Sequence, residues 1–102
     1  MWYDMKSKVF EYLLKIPPGK VETYGQIAEY LGNKNLARVV GNFLHNNPDE
    51  GKYPCYKVVN AKGELAENFA FGGKEGQKEK LLREGIQVID YKVDLNKYGY
   101  RE

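Results

Sequence analysis

A mostly helical α/β domain, winged-helix-like, with a helix-turn-helix, a short strand pair and a C-terminal helix, is predicted by three features of the sequence. Apolar residues recur at three- and four-residue spacing in several separate segments. A glycine-containing break parts two of those segments, and one short β-branched run, Val58-Val59, reads as a buried strand. At 102 residues with 42% hydrophobic content, the chain is expected to form one domain over 1–102 with one modest core that needs no disulfide.

The first helix is predicted over 4–15, where Val9, Phe10, Leu13 and Leu14 form the apolar face and Lys6, Lys8, Glu11 and Lys15 face water. Pro17-Pro18-Gly19 ends it, and 20–23 is extended. Thr23 as N-cap with Gln26 three residues on is a capping box, opening a short helix over 24–31 that Gly32 and Asn33 stop. A second helix follows over 36–46 with Leu36, Val40, Phe43 and Leu44 on one face, completing the helix-turn-helix outline. Asn46-Asn47-Pro48-Asp49 is turn chemistry, as is Asn60-Ala61-Lys62-Gly63 ahead of a second extended piece at Glu64-Leu65. The last strong helix is predicted over 74–84 with Leu81 and Leu82 apolar and Gly85 beyond its end, before an extended tail containing Tyr91, Tyr98 and Tyr100.

Three places carry candidate chemistry. Arg38, Asn42 and His45 project together from the second helix, a positive, amide-rich face that suits phosphates and base edges or is simply solvated. Cys55, the one cysteine, sits between Pro54 and Tyr56-Lys57; it is a packing residue, a metal ligand without cysteine partners, or a nucleophile beside a hydroxyl and a cation. Phe69 and Phe71 flank Ala70 and run into Gly72-Gly73, either walling a base-sized slot or covering the core. One histidine and one cysteine at no ligand spacing argue against a structural zinc site, so no metal and no cofactor is expected. The net charge of +2 is too small for a basic-patch argument. There is no twenty-residue apolar run, and the N-terminus lacks a signal peptide's apolar stretch, so an intracellular, cytoplasmic monomer with no membrane contact is expected.

In order, the segments 16–28, Ala37-Arg38-Val39-Val40-Gly41, Asn46-Asn47-Pro48, Pro54-Cys55 with Val58-Val59, and Gly72-Gly73 resemble the C-terminal domain of the O6-alkylguanine-DNA alkyltransferases, the methylated-DNA--protein-cysteine methyltransferases. The resemblance runs from Val9 to Gly85 and has no counterpart for that family's separate N-terminal domain. In this, and in its tail around Leu95 to Tyr100, the chain is also similar to the small alkyltransferase-like proteins, which usually have an unreactive residue at the position of Cys55.

The resemblance implies a partner, double-stranded DNA containing O6-alkylguanine, and a role for each matching position. Arg38 enters the base stack where a damaged guanine has been rotated out, and Tyr24 crowds the neighbouring phosphate and contacts the extruded base. Asn42, by its helical spacing from Arg38, shares the DNA-facing side, and the resemblance makes Asn47 the residue that ties the recognition helix to the cysteine loop. Cys55 is the alkyl acceptor, Tyr56 and Glu84 complete the catalytic set, and the carbonyl of Val58, with Phe69 and Ala70, lines the base pocket. The family typically reads Pro-Cys-His-Arg where this chain reads Pro54-Cys55-Tyr56-Lys57, and a phenol is a poor base beside an imidazole. The retained cysteine favours a repair enzyme that transfers one alkyl group irreversibly to Cys55. The alternative is a non-enzymatic protein that binds O6-alkylguanine and marks it for another repair pathway.

Overall fold

The computed structural model describes residues 2–100, with side chains described over 5–100. Its helices are α1 (Trp2–Leu13), α2 (Tyr24–Tyr30), α3 (Ala37–His45), α4 (Gly73–Arg83) and the single-turn α5 (Leu95–Tyr98), and its strands are β1 (Glu22–Thr23) and β2 (Val58–Val59). The architecture is the mostly helical one that the sequence predicts, with one small parallel strand pair.

Helix α1 buries Val9, Phe10, Tyr12 and Leu13, but Leu14, expected on the same face, is exposed. The helix ends two residues early because Leu14 and Lys15 bond back only three residues, to the carbonyls of Glu11 and Tyr12. This tightening of the last turn carries Leu14 away from the core. Helix α2 opens on the predicted capping box: the Thr23 hydroxyl accepts from the Gln26 amide at 3.1 Å, and the Gln26 side chain accepts from the Thr23 amide at 3.2 Å. Asn33 then caps one 3-10 turn over Lys34–Leu36, which runs directly into α3. Helix α3 packs Val40, Phe43 and Leu44 inward, as their spacing requires.

The two strands join two cores. Glu22 pairs with Val58 and Thr23 with Val59 in parallel register. Successive residues of a strand face opposite sides, so Val58 packs with α1, α2 and α3 while Val59 packs with Val21, Leu65, Leu81, Ile86 and Val93. The second core therefore depends on the chain after β2, including the tail. That tail is not simply extended. Asp94 caps α5, and the Tyr98 carbonyl and Tyr100 amide both bond Val21 at 2.8 Å, tying the tail beside β1. A single-turn helix is too short to show periodicity, and its one local signal was the capping aspartate.

Helix α4 holds the loop before it at close range. A Cβ on Gly76 would lie 2.2 Å from the Phe71 carbonyl oxygen, so only glycine permits this approach. Gly76→Ala is expected to cost about 1–3 kcal/mol by forcing helix and loop apart, read as a lower thermal midpoint at unchanged helix content.

Candidate DNA-binding site

A cavity of about 460 Å³ opens between α3 and the loop that precedes α4. Ala37, Arg38, Gly41, Asn42 and His45 form its α3 side, Tyr24 its end from α2, and Asn68, Phe69 and Ala70 its opposite wall. Cys55 borders it as well, buried, with only 4% of its surface exposed. The structure thus brings together Tyr24, Arg38, Asn42, Cys55, Phe69 and Ala70 of the predicted residues. Arg38, Asn42 and His45 are exposed along the mouth. Phe69 and Phe71 meet edge to face with ring centroids 5.8 Å apart, so Phe69 walls the cavity and Phe71 supports it from the core side.

Other predicted residues sit behind the cavity. Val58 is 1% exposed, and its carbonyl already accepts from the Gln77 side chain at 3.0 Å. Asn47 is buried, donates to the Tyr53 carbonyl at 2.8 Å and accepts from the Asp49 amide at 2.9 Å, so it shapes the turn from α3 to the cysteine. Tyr56 donates its hydroxyl proton to Glu84, which also accepts from the Gly19 amide at 3.0 Å and pairs with the Lys57 ammonium at 3.2 Å. Lys57 is buried and donates to the carbonyls of Ile16 and Pro17 at 3.2 and 3.3 Å. The sequence reading missed Ala37, Gly41, Ala66 and Gln77. Ala37 and Gly41, four apart on the face that carries Arg38, were a legible signal, since small residues at that spacing hollow one side of a helix.

The electrostatics keep the thiol protonated. Burial pushes the Cys55 thiol above its ordinary value, more than the hydrogen bond from Asn47 lowers it. Tyr56 is pushed well above the ordinary tyrosine range, first by burial and then by its hydrogen bond to Glu84, so the phenol keeps its proton. Glu84 goes the other way: burial alone would raise it, but the hydrogen bonds from Tyr56, Gly19 and Lys57 outweigh that and hold its carboxyl below the ordinary value. Tyr24 is raised by burial and then by the nearby sulfur, so it meets the cavity as a neutral hydroxyl.

The sequence comparisons fall on this fold. The family model for the 6-O-methylguanine DNA methyltransferase DNA-binding domain matches residues 4–86. The chain belongs to this alkyltransferase family. Within it, alkyltransferase-like protein 1 of Schizosaccharomyces pombe is 33% identical over 96% of this chain and 95% of its own length. The crystal structure of that protein in complex with damaged DNA containing O6-carboxymethylguanine superposes with a TM-score of 0.89 at 31% identity, covering 98% of this chain and 97% of that one. The DNA base-flipping protein of Vibrio parahaemolyticus is 38% identical over 92% of this chain and 93% of its length. By contrast, the methylated-DNA--protein-cysteine methyltransferase of Mycobacterium tuberculosis matches at 37% identity over 78% of this chain but only 46% of its own length.

These matches correct one expectation. The alkyltransferase family holds both enzymes and alkyltransferase-like proteins, and this chain aligns end to end with the latter, so the reading of it as a methyltransferase is overturned. The surroundings of Cys55 are consistent with that: the thiol is buried, burial raises its pKa above the ordinary value, and the neighbouring Tyr56 hydroxyl is committed to Glu84. Among the described residues, no helix is long and apolar enough to cross a membrane.

Proposed function

We propose that this protein recognises O6-alkylguanine in double-stranded DNA by accepting the extruded base in the cavity beside α3, and that it holds the lesion without taking its alkyl group. The observation that carries this reading is the cavity itself. It has a basic, amide-bearing mouth at Arg38 and Asn42, an aromatic wall at Phe69, and a thiol that burial keeps protonated. Its volume of about 460 Å³ lies in the usual range for a small-ligand site. In this reading Arg38 fills the space the base leaves, Tyr24 offers a neutral hydroxyl beside it, and Asn42 and His45 contact the backbone. A lesion base that pairs weakly costs less to extrude, which gives a first level of selectivity before any contact is made. The long-lived complex then marks the damage for another repair pathway.

The experiment compares binding of duplexes that differ only by O6-methylguanine or guanine at one position, followed by intact-protein mass. A clear preference for the lesion with unchanged mass is the expected result; a gain of one methylene, or equal affinity for both duplexes, overturns it. Arg38→Ala is expected to reduce the lesion preference about tenfold or more while weakening binding to unmodified duplex only about two- to threefold, because the side chain stands in for a base and is more than one phosphate contact. A uniform loss on both duplexes would remove Arg38 from that role.

A further inference from the structure

Gln77 lies on α4, outside the cavity, and is 1% exposed. Its amide is fully committed. Nε2 donates to the Tyr56 carbonyl and to the Val58 carbonyl, each at 3.0 Å, and Oε1 accepts from the Ala66 amide at 2.8 Å. Two acceptors on one side and a donor on the other fix which way the amide points. The three groups it holds come from different parts of the site. Tyr56 belongs to the 3-10 turn Cys55–Lys57, Val58 begins β2, and Ala66 lines the cavity at the root of the wall that continues through Asn68, Phe69 and Ala70. The wall is then held to α4 by its own backbone, Phe69 bonding back to Ala66 and Gly73 to Phe69.

We infer that Gln77 is the positioning residue of the base pocket: by tying the cysteine turn to the Ala66 end of the wall, it sets the gap that an extruded base must enter. This inference rests on the proposed lesion-binding function. An apolar side chain of the same length would leave one buried N–H and weaken two carbonyls, and the wall would be free to swing from the cysteine turn. The pocket would persist but lose its fixed width, so discrimination would fall before folding does.

The test uses the full chain with Gln77→Met, measured in two ways. Amide hydrogen exchange over 66–70 is expected to quicken about tenfold while the α1 and α3 amides keep their protection, since one lost buried hydrogen bond is worth about that factor. Affinity for an O6-methylguanine duplex, taken relative to the unmodified duplex, is expected to fall about tenfold. Gln77→Asn keeps the amide but is one methylene too short to span the three groups, so it too should quicken exchange over 66–70, and it carries the same comparison should the methionine variant not fold. Unchanged exchange over 66–70, or a loss of protection spread evenly over the chain, overturns the positioning role, whatever the DNA result. If exchange responds but wild-type protein shows no lesion preference, the clamp stands as a structural feature and it is the proposed function that fails.

Discussion

Lys57→Met is expected to destabilise the fold by about 3 kcal/mol, because it removes one partner from a largely buried ion pair and strips two carbonyls of their donor at the same stroke. The ammonium reaches Ile16 and Pro17 in the turn that follows α1, and Glu84, which caps the C-terminal end of α4. Its loss therefore loosens the joint between the two cores. Glu84→Gln removes the other charge and should cost less, about 1–2 kcal/mol, since the amide still accepts one hydrogen bond and the site is partly open to water. In the double variant the costs should fall short of their sum, which a cycle of chemical denaturation would show. The pH dependence has a definite sign. Glu84 has a folded value below its unfolded one, so its contribution is complete above the ordinary glutamate value, ~4.3, and is lost as the pH falls through the lower folded value. Wild-type protein should thus lose stability on acidification more steeply than Glu84→Gln; parallel curves would mean that the carboxylate contributes nothing through its charge.

The local signals in the sequence were strongest where short-range physics decides the structure. Thr23 and Gln26 form their capping box because both partners lie within one turn, and Val40, Phe43 and Leu44 face inward because the helical period alone places them there. Arg38, Asn42 and His45 share a face for the same reason, and that polar face, which helical spacing alone places together, borders the cavity. What the sequence hid was long-range. Gln77 reaches residues nineteen and twenty-one positions away, and nothing in its own neighbourhood distinguishes it from a solvated helix residue. Lys57 looked like a cation placed to favour a thiolate, yet its ammonium is drawn off to carbonyls forty and forty-one positions back and to Glu84. On the proposed reading, enzyme and binder share these local signals and differ in where a few protons are held.

That difference can be tested at Tyr56. Replacing it with histidine is expected to raise the rate at which iodoacetamide modifies Cys55 at neutral pH by about tenfold, because an adjacent imidazole increases the thiolate fraction. An imidazole with a reference value of ~6.5 accepts a thiol proton and shares the resulting charge with Glu84, whereas the phenol donates its one proton in a hydrogen bond to Glu84 and keeps it more tightly than free tyrosine does. In wild-type protein the rate should keep climbing into the alkaline range, because burial sets the thiol's ionisation high; in Tyr56→His the rise should begin nearer neutrality. Tyr56→Phe separates the two effects. It should leave the modification rate within about twofold of wild type, since the hydroxyl serves Glu84 and not the sulfur, while lowering stability by about 1 kcal/mol for the lost hydrogen bond. Should Tyr56→Phe quicken modification as much as Tyr56→His, the phenol must be acting on the sulfur directly, and the protonated state of Cys55 would have a different cause from the burial described above.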